Sequence, residues 1–360
     1  MTKIIFVTRV MWTGGAERVI AQLVKYMAKE NIECTIITVD DDKVSYELPP
    51  QVNIYSIGDK SQIGYVDKII KYKELRRVVK CLNPDVVLAL PEDIGIFVIP
   101  ALLGTSIPVV VSERNNPWVM PWKKETRLMR KLFYPFAKGY VFQTEQAASF
   151  FPKSIRNKGI VLPNPLDLER VPTPWHGERR KEIIGVGRLD KQKNFPLLIK
   201  AFAEFHKTHP DYILKIYGEG MLREDLENLA SSLLPNKSCF FPGKKSNLLE
   251  CIRGAAMFVL SSDFEGMPNV VIEAMAMGMP VISTDCPSGG PAELIENGKN
   301  GLLVPVDDVN ALSSAMCKLA DSREVMAELG KNAEKIKLRL DSDVVAEKWR
   351  QYLNECSRLH

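Results

Sequence analysis

Glu265 and Glu273 are separated by seven residues in the segment FEGMPNVVIE, which also holds a glycine, a proline and a helix start. An apolar run, Ala256 to Leu260, precedes them; a helix stopping at Gly278 and a second strand, Pro280 to Ser283, follow. This order predicts Glu265 in a loop at the carboxyl end of a buried strand and Glu273 about one turn into the next helix. In open α/β sheets ligands bind in that crevice. Carboxylates accept hydrogen bonds from hydroxyl groups, so one acid can meet a sugar and the other a ribose. Either glutamate alone would read as part of an acidic loop before a helix; the surrounding sequence favours the ligand-binding reading.

Gly185 to Asn194 reads GVGRLDKQKN just past another strand, and Arg188 and Lys193 share its loop. A diphosphate leaving group needs positive charge where its own charge develops. Arginine offers a fork for two oxygens, and lysine a compact point charge. A solvated basic loop is the simpler alternative, and it loses ground beside Glu265 and Glu273. The turn from Trp12 to Arg18 presents Gly14 and Gly15 at a helix start, where backbone N–H groups can approach a phosphate or carboxylate. It is not G-x-G-x-x-G, so a nicotinamide cofactor is not indicated; a plain turn fits it equally well. Ser288, Gly289 and Gly290 are expected to form another turn with N–H groups open to an anion. Asn269 and Val270, in the first turn of the helix from Pro268, can add theirs. No Asp-x-Asp motif stands at a strand end, Asp40 to Asp42 reads as solvated loop charge, and the four histidines lack metal-ligand spacing. No metal is therefore expected, and Arg188 and Lys193 take the work a divalent cation does elsewhere.

These residues need a scaffold. A chain of 360 residues is long for one core and comfortable for two. Its 46% hydrophobic and 26% charged fractions are those of an ordinary globular protein, and a net charge of +4 is too small to argue for nucleic acid. Seven cysteines without a C-x-x-C pair point to reduced thiols in the cytoplasm. Met1 to Val7 reads as a strand and not as a signal sequence. No apolar run approaches the roughly 18 residues of a membrane span; the longest, Ile94 to Leu103, is interrupted by Pro100.

Lys3 to Val7 is followed by a helix from about Ala16 to Lys29, with Val19, Ile20, Leu23, Val24 and Met27 at helical spacing. Further strands are expected at Glu33 to Val39, Asp85 to Leu90, Pro108 to Ser112 and Gly139 to Gln143, the α/β pattern of a doubly wound parallel sheet. The pattern restarts after the Pro-rich connector Pro163 to Pro174. Strands follow at Glu182 to Val186, Tyr212 to Tyr217, Lys237 to Phe241, Met257 to Leu260 and Pro280 to Ser283. Helices fall near Phe195 to His206, Met221 to Leu234, Asn247 to Ala255 and Pro268 to Met277. Two Rossmann-like domains facing a cleft are expected, over residues 1–168 and 169–340, with a helix in 341–360 packing back on the first. From Gly64 to Lys80 the helical wheel gathers Ile69, Lys73, Arg76, Arg77 and Lys80 on one face, with a separate apolar stripe of Tyr72, Leu75, Val79 and Leu82. Lys123 to Lys138 adds Arg127, Arg130 and Lys131 beside Trp118, Trp122, Phe133 and Tyr134. Both faces suit anionic lipid headgroups or a pyrophosphate; a solvated helix face fits them equally.

With these residues in view, the chain resembles the family-4 retaining glycosyltransferases of the GT-B fold. The resemblance spans nearly the whole length: GGAE at Gly14 to Glu17, SERN at Ser112 to Asn115, GRLDKQKN at Gly187 to Asn194, EGMPNVVIE at Glu265 to Glu273 and STDCPSGGP at Ser283 to Pro291. It points to enzymes that extend lipid-linked oligosaccharides for capsule, exopolysaccharide, O-antigen or bacterial glycoprotein assembly. The resemblance implies a UDP-sugar donor, no cofactor, and transfer of a hexose or N-acetylhexosamine (GalNAc, GlcNAc or Gal) to a polyprenyl-diphosphate-linked saccharide. Arg188, Lys193 and Glu265 would be the catalytic set. Glu265 would hold the transferred sugar near its C3 and C4 hydroxyls, with Arg188 and Lys193 on the diphosphate and Glu273 on the ribose. Gly14 and Gly15 would approach the phosphates, and Gly266, Met267, Pro268, Asn269 and Val270 would complete the donor-binding stretch. Lys73, Arg76, Arg77 and Lys80 match where relatives grip the acceptor's pyrophosphate. The implied place is cytoplasmic, peripheral on the inner face of the plasma membrane.

One position departs from the family pattern. Relatives often carry a histidine near the reacting sugar, in the loop after the fourth strand of the first domain; Arg114 stands there. An arginine, with a pKa above about 12, donates hydrogen bonds but accepts no proton at neutral pH. Glu113 is a candidate to orient the acceptor, with Asn115 beside it. A GT-B-type UDP-sugar epimerase, which needs no acceptor, and an inactive nucleotide-sugar-binding module are the alternatives. The intact set of Arg188, Lys193, Glu265 and Glu273 argues against the second. A glycosidase would need two carboxylates across a single bond, whereas these two serve one donor.

Overall fold

The computed structural model describes residues 1–12, 14–58 and 65–358. Short runs of valine, isoleucine and leucine, apolar on both faces, make strands that a parallel sheet must cover with helices on two sides. In the first part of the chain the strands are β1 (Lys3–Thr8), β2 (Glu33–Thr38), β3 (Asn53–Ser56), β4 (Val86–Ala89), β5 (Val109–Ser112), β6 (Gly139–Phe142) and β7 (Gly159–Val161), of which β3 is mostly exposed and the others fit this pattern better. They pair in parallel in the order β3-β2-β1-β4-β5-β6-β7, so the winding reverses between β1 and β4.

Helix α1 (Gly15–Lys29) buries Val19, Ile20, Leu23, Val24 and Met27 against one face of this sheet. The helix Ser342–Arg358 joins it there, with Trp349 and Leu353 fully buried in the same cluster and Tyr26 Oη donating to Glu347 Oε2 at 2.8 Å. Each such buried side chain contributes about 1.5–3 kcal/mol. The other face is covered by α2 (Tyr65–Leu82) and α3 (Glu92–Leu102), whose Leu75, Val79, Ile94 and Val98 pack against Ile5, Val7 and Val87. A fourth helix, α4 (Lys124–Phe133), follows β5. Met1–Pro165 and Leu340–His360 form one compact unit and Leu166–Arg339 the other.

The second unit repeats the design with β8 (Arg180–Val186), β9 (Ile213–Tyr217), β10 (Cys239–Phe240), β11 (Ala255–Leu260), β12 (Val281–Thr284) and β13 (Leu302–Val304). Their order is β10-β9-β8-β11-β12-β13, which puts the reversal between β8 and β11. The core here is built on Phe195, Phe202 and Phe205 of the helix Phe195–His206 against Ile183, Leu214 and Met257 of the sheet.

Several elements differ from the sequence expectation. β3, β7 and β13 are edge strands of four, three and three residues, too short to show a period of their own. The helix expected over Asn247 to Ala255 covers only Leu248–Ile252, because Gly254 O accepts from Arg180 N and Ala255 enters β11. Helices Val309–Asp321 and Arg323–Ala333 were not anticipated. Gly64, the expected start of the basic helix, lies outside the described residues. Among the described residues no helix is long and apolar enough to cross a membrane.

Candidate active site

The two loops that flank the β8/β11 reversal carry Arg188 and Lys193 on one side and Glu265 on the other. The first loop is shaped by its own side chains. Asp190 Oδ1 accepts from Lys193 N at 3.3 Å and caps a single 3₁₀ turn, Lys191–Lys193. Asn194, in the left-handed region at φ 42°, then caps the helix Phe195–His206 by accepting from Leu197 N. Gly187 leaves room for the Lys193 stem, which passes 2.9 Å from where a Cβ would stand.

Lys193 Nζ donates to Glu265 Oε1 at 2.5 Å, with the two side chains 13% and 8% exposed. Ser262 Oγ donates to the same oxygen at 2.7 Å, and Thr284 Oγ1 holds the Ser262 carbonyl at 2.6 Å. The loops are stitched together elsewhere too: Ser261 Oγ donates to Lys193 O at 2.9 Å, and Asn194 Nδ2 to Asp263 Oδ1 at 2.6 Å. Arg188 is mostly exposed and meets Asp190 Oδ2 at 3.3 Å. Glu273 lies on the helix Asn269–Ala276, half-buried and one turn from its start. Gly278, at φ 65°, ends that helix in the conformation glycine favours.

The expected anion cradle at Ser288 to Gly290 is not open. Ser288 N donates to Glu265 O and Gly289 N to Cys286 O, so the fold uses two of the three N–H groups itself, the first of them to hold Glu265 in place. Gly290 packs directly on the Gly266 carbonyl, where a Cβ would stand only 1.6 Å away. Gly266, Met267 and Pro268 are buried between these contacts and the helix. Val271 N and Ile272 N both donate to Pro268 O, so the helical ladder starts beyond Asn269 and Val270.

In the first unit, Gly14 N donates to Tyr46 Oη at 3.1 Å, and Tyr46 Oη donates back to Gly14 O at 2.9 Å. The Gly14 N–H is thus not bare; Gly15, at the start of α1, is exposed. Asp40, expected as solvated charge, bridges Arg9 Nη1 at 2.7 Å and Lys71 Nζ at 3.3 Å. Arg76 Nη1 caps the end of α3, donating to Ala101 O and Leu103 O at 2.9 and 2.8 Å, while Arg77 pairs with Glu74 at 2.6 Å. Lys73 and Lys80 remain exposed.

The SERN segment leaves β5 and turns inward. Glu113 is buried, accepts from Tyr134 Oη and stands 3.7 Å from Arg130 Nη1. Burial and the neighbouring Glu92 push its carboxyl up to about 8, against the pull of Arg130. Arg130, read from the sequence as part of an outer basic patch, is only 4% exposed. Its guanidinium donates to Pro117 O and Met120 O at 2.8 and 2.9 Å and stacks 4.7 Å over Phe150. Arg114 donates to Asn164 Oδ1 and to Ser112 Oγ at 3.4 Å, and its main-chain N–H to Glu92 Oε2 at 3.3 Å. Burial lowers this guanidinium to about 10, still cationic at neutral pH. Asn115 is half-buried beside it. Ser262, Glu92 and Asn164 carry no motif of their own, and only Ser262, three residues before Glu265, had a positional signal.

Residues 173–336 match the family described as glycosyl transferases group 1, and residues 13–170 match glycosyltransferase family 4. A 4-α-N-acetylgalactosaminyltransferase of Campylobacter jejuni, named for an N-acetylgalactosamine-N,N'-diacetylbacillosaminyl-diphospho-undecaprenol substrate, is 32% identical over 83% of this chain and 85% of its own. A second Campylobacter jejuni α-1,4-N-acetyl-D-galactosaminyltransferase, named for a diNAcBac-PP-undecaprenol substrate, is 27% identical over 99% of both chains. Anabaena HepE, solved in complex with UDP and glucose, superposes with a TM-score of 0.83 at 16% identity, covering 98% of this chain and 100% of that one. This chain therefore belongs to the group 1, family 4 glycosyltransferases, retaining and metal-independent enzymes of the GT-B fold.

Proposed function

We propose that the protein moves a hexose or N-acetylhexosamine from a UDP-sugar to a polyprenyl-diphosphate-linked saccharide in the assembly of a bacterial surface glycan. The observation that carries this reading is the Lys193–Glu265 pair at the β8/β11 reversal, with Arg188 on the same loop as Lys193 and Glu273 one turn into the following helix. Glu265 accepts hydroxyls of the transferred sugar, Glu273 accepts those of the ribose, and Arg188 and Lys193 face the diphosphate. As the bond from the anomeric carbon to the phosphate oxygen breaks, its electron pair stays with UDP, where the two cations stabilise it. The acceptor hydroxyl attacks on the same face, and its proton leaves with the departing phosphate.

The names of the Campylobacter jejuni relatives support a polyprenyl-diphosphate acceptor, and the bound UDP of Anabaena HepE supports the nucleotide. A membrane-seated acceptor also suits α4. Leu128 and Leu132 are exposed there beside Lys124 and Lys131, with Trp122 and Phe136 exposed at its two ends. A basic helix with bare apolar side chains lies well at an anionic lipid surface. Glu113, Arg114 and Asn115, with Lys73 and Lys80, serve as the acceptor side, Glu113 from behind the loop.

The test is incubation with UDP-, GDP- and ADP-sugars in EDTA, scoring nucleotide release with and without a short polyprenyl-diphosphate saccharide. Acceptor-dependent UDP release from one sugar is expected. Donor isomerised without release, or no turnover with any pair, would overturn the reading.

A further inference from the structure

Gln192 touches both groups that face the donor. Its side-chain Nε2 donates to the Phe264 carbonyl at 3.1 Å and stands 3.5 Å from Glu265 Oε2. Its Oε1 accepts from Arg188 Nη2 at 3.3 Å, and its main-chain carbonyl accepts from Asp263 N at 2.9 Å. One residue thus bridges the loop after β8 and the loop after β11 with backbone and side chain alike. On Glu265, Oε1 already takes Lys193 Nζ at 2.5 Å and Ser262 Oγ at 2.7 Å. A carboxylate offers about four acceptor positions, so Oε2 is the oxygen with room for a ligand hydroxyl, and Gln192 is the group beside it.

We propose that Gln192 is a positioning residue whose amide ties Arg188 to Glu265, so that the diphosphate contact and the sugar contact adopt their working geometry together. The inference deepens the donor reading above and rests on it. Arg188 is 72% exposed on its side chain, and a long exposed side chain must surrender rotamer freedom before it can act on a ligand. A partner already in place reduces what is left to order at turnover. An amide is suited to this because it donates at one end and accepts at the other. Glutamate keeps only the accepting end, and methionine keeps neither.

Gln192→Met, Gln192→Glu, Arg188→Lys and the double variant Arg188→Lys/Gln192→Met are compared with the unaltered protein. UDP affinity is read by calorimetry, kcat and KM from acceptor-dependent UDP release, and folding from Tm. For Gln192→Met we expect kcat to fall about tenfold, the worth of one hydrogen bond to a charged group, with donor KM within about threefold. Gln192→Glu should fall further, since its carboxylate opposes Glu265 and the Phe264 carbonyl. The double variant should lose less than the product of the single losses, because each single change breaks the same link. Unchanged kcat in folded Gln192→Met overturns the proposal, as do independent, multiplying losses or a loss that follows Tm alone. Should Gln192→Met not fold, unchanged kcat in Gln192→Glu overturns it equally. An unaltered protein that binds no UDP would instead remove the donor reading itself, whereas full turnover with indifferent Gln192 variants removes only this inference.

Discussion

Lys193→Met removes the cation from a pair that is 2.5 Å apart and almost fully covered. At an effective dielectric of about 20, two unit charges at that separation attract by about 6–7 kcal/mol. Most of that attraction is offset by the cost of taking both ions out of water. Removing one partner strands the other, and for a pair that keeps a little solvent contact the cost is about 3 kcal/mol. In a unit of this size that lowers Tm by about 6–12 °C. The kinetic effect has a separate origin, the lost charge-assisted donor to the leaving diphosphate. At about 2–3 kcal/mol this lowers kcat by about 30- to 150-fold. Adding Glu265→Gln to Lys193→Met separates the two, because the stranded charge disappears while the cation stays absent. Most of the lost Tm should return, while kcat should stay well below that of Glu265→Gln alone. The assay pairs thermal unfolding with UDP release at saturating donor. A double variant as active as Glu265→Gln alone would mean that Lys193 acts only as the counterion of Glu265, and the assignment to the diphosphate would be wrong.

Glu273→Ala should weaken UDP binding by about ten- to a hundredfold, the loss of a charged hydrogen-bonding partner of the ribose; calorimetry that finds the affinity unchanged refutes that role. Glu113 gives a pH dependence. Its folded carboxyl titrates near 8 through burial and the proximity of Glu92, well above the unfolded value. Between the two values the folded state holds the extra proton, so stability declines as pH rises from about 5 to 8, by up to about 1.4 kcal/mol per pH unit, and levels off above. Urea titrations should show this slope in the unaltered protein and a shallower one in Glu113→Gln, whose amide needs no proton, because burial raises the neighbouring Glu92 in the same direction; equal slopes would place the titration elsewhere. Leu128→Ser/Leu132→Ser should abolish flotation with anionic vesicles in low salt, and Lys124→Gln/Lys131→Gln should weaken it by about 1 kcal/mol for each charge removed. Retention with both pairs altered would discard α4 as the lipid-facing element. Arg76 is unsuited to such a substitution, since its guanidinium caps α3.

Much of the scaffold was legible because its signals are local. Val19, Ile20, Leu23, Val24 and Met27 mark the buried side of α1 by spacing alone, and the helix Phe195–His206 carries its own cap in Asn194. The edge strands β3, β7 and β13 were not legible, since three or four residues carry no period and are strands only because a neighbour pairs with them. Arg130 shows the same limit for a side chain. Its neighbours in sequence are exposed and basic, yet it turns inward to the Pro117 and Met120 carbonyls of a loop that follows β5.

For the site, the sequence alone determined the types and short-range spacing of Arg188, Lys193, Glu265 and Glu273, and their place at strand ends, since turn and helix geometry depend on neighbours in the chain. Which of them meet depends on packing between segments far apart in the chain. Lys193 and Glu265 are 72 residues apart, and their ion pair exists because β8 and β11 lie side by side at the point where the winding reverses. The same pairing brings Gln192 to Glu265, and the return of Ser288 to the Glu265 backbone closes a turn that the sequence presented as open. Those contacts depend on strand register, which is set by burial across the whole sheet and written in no single segment.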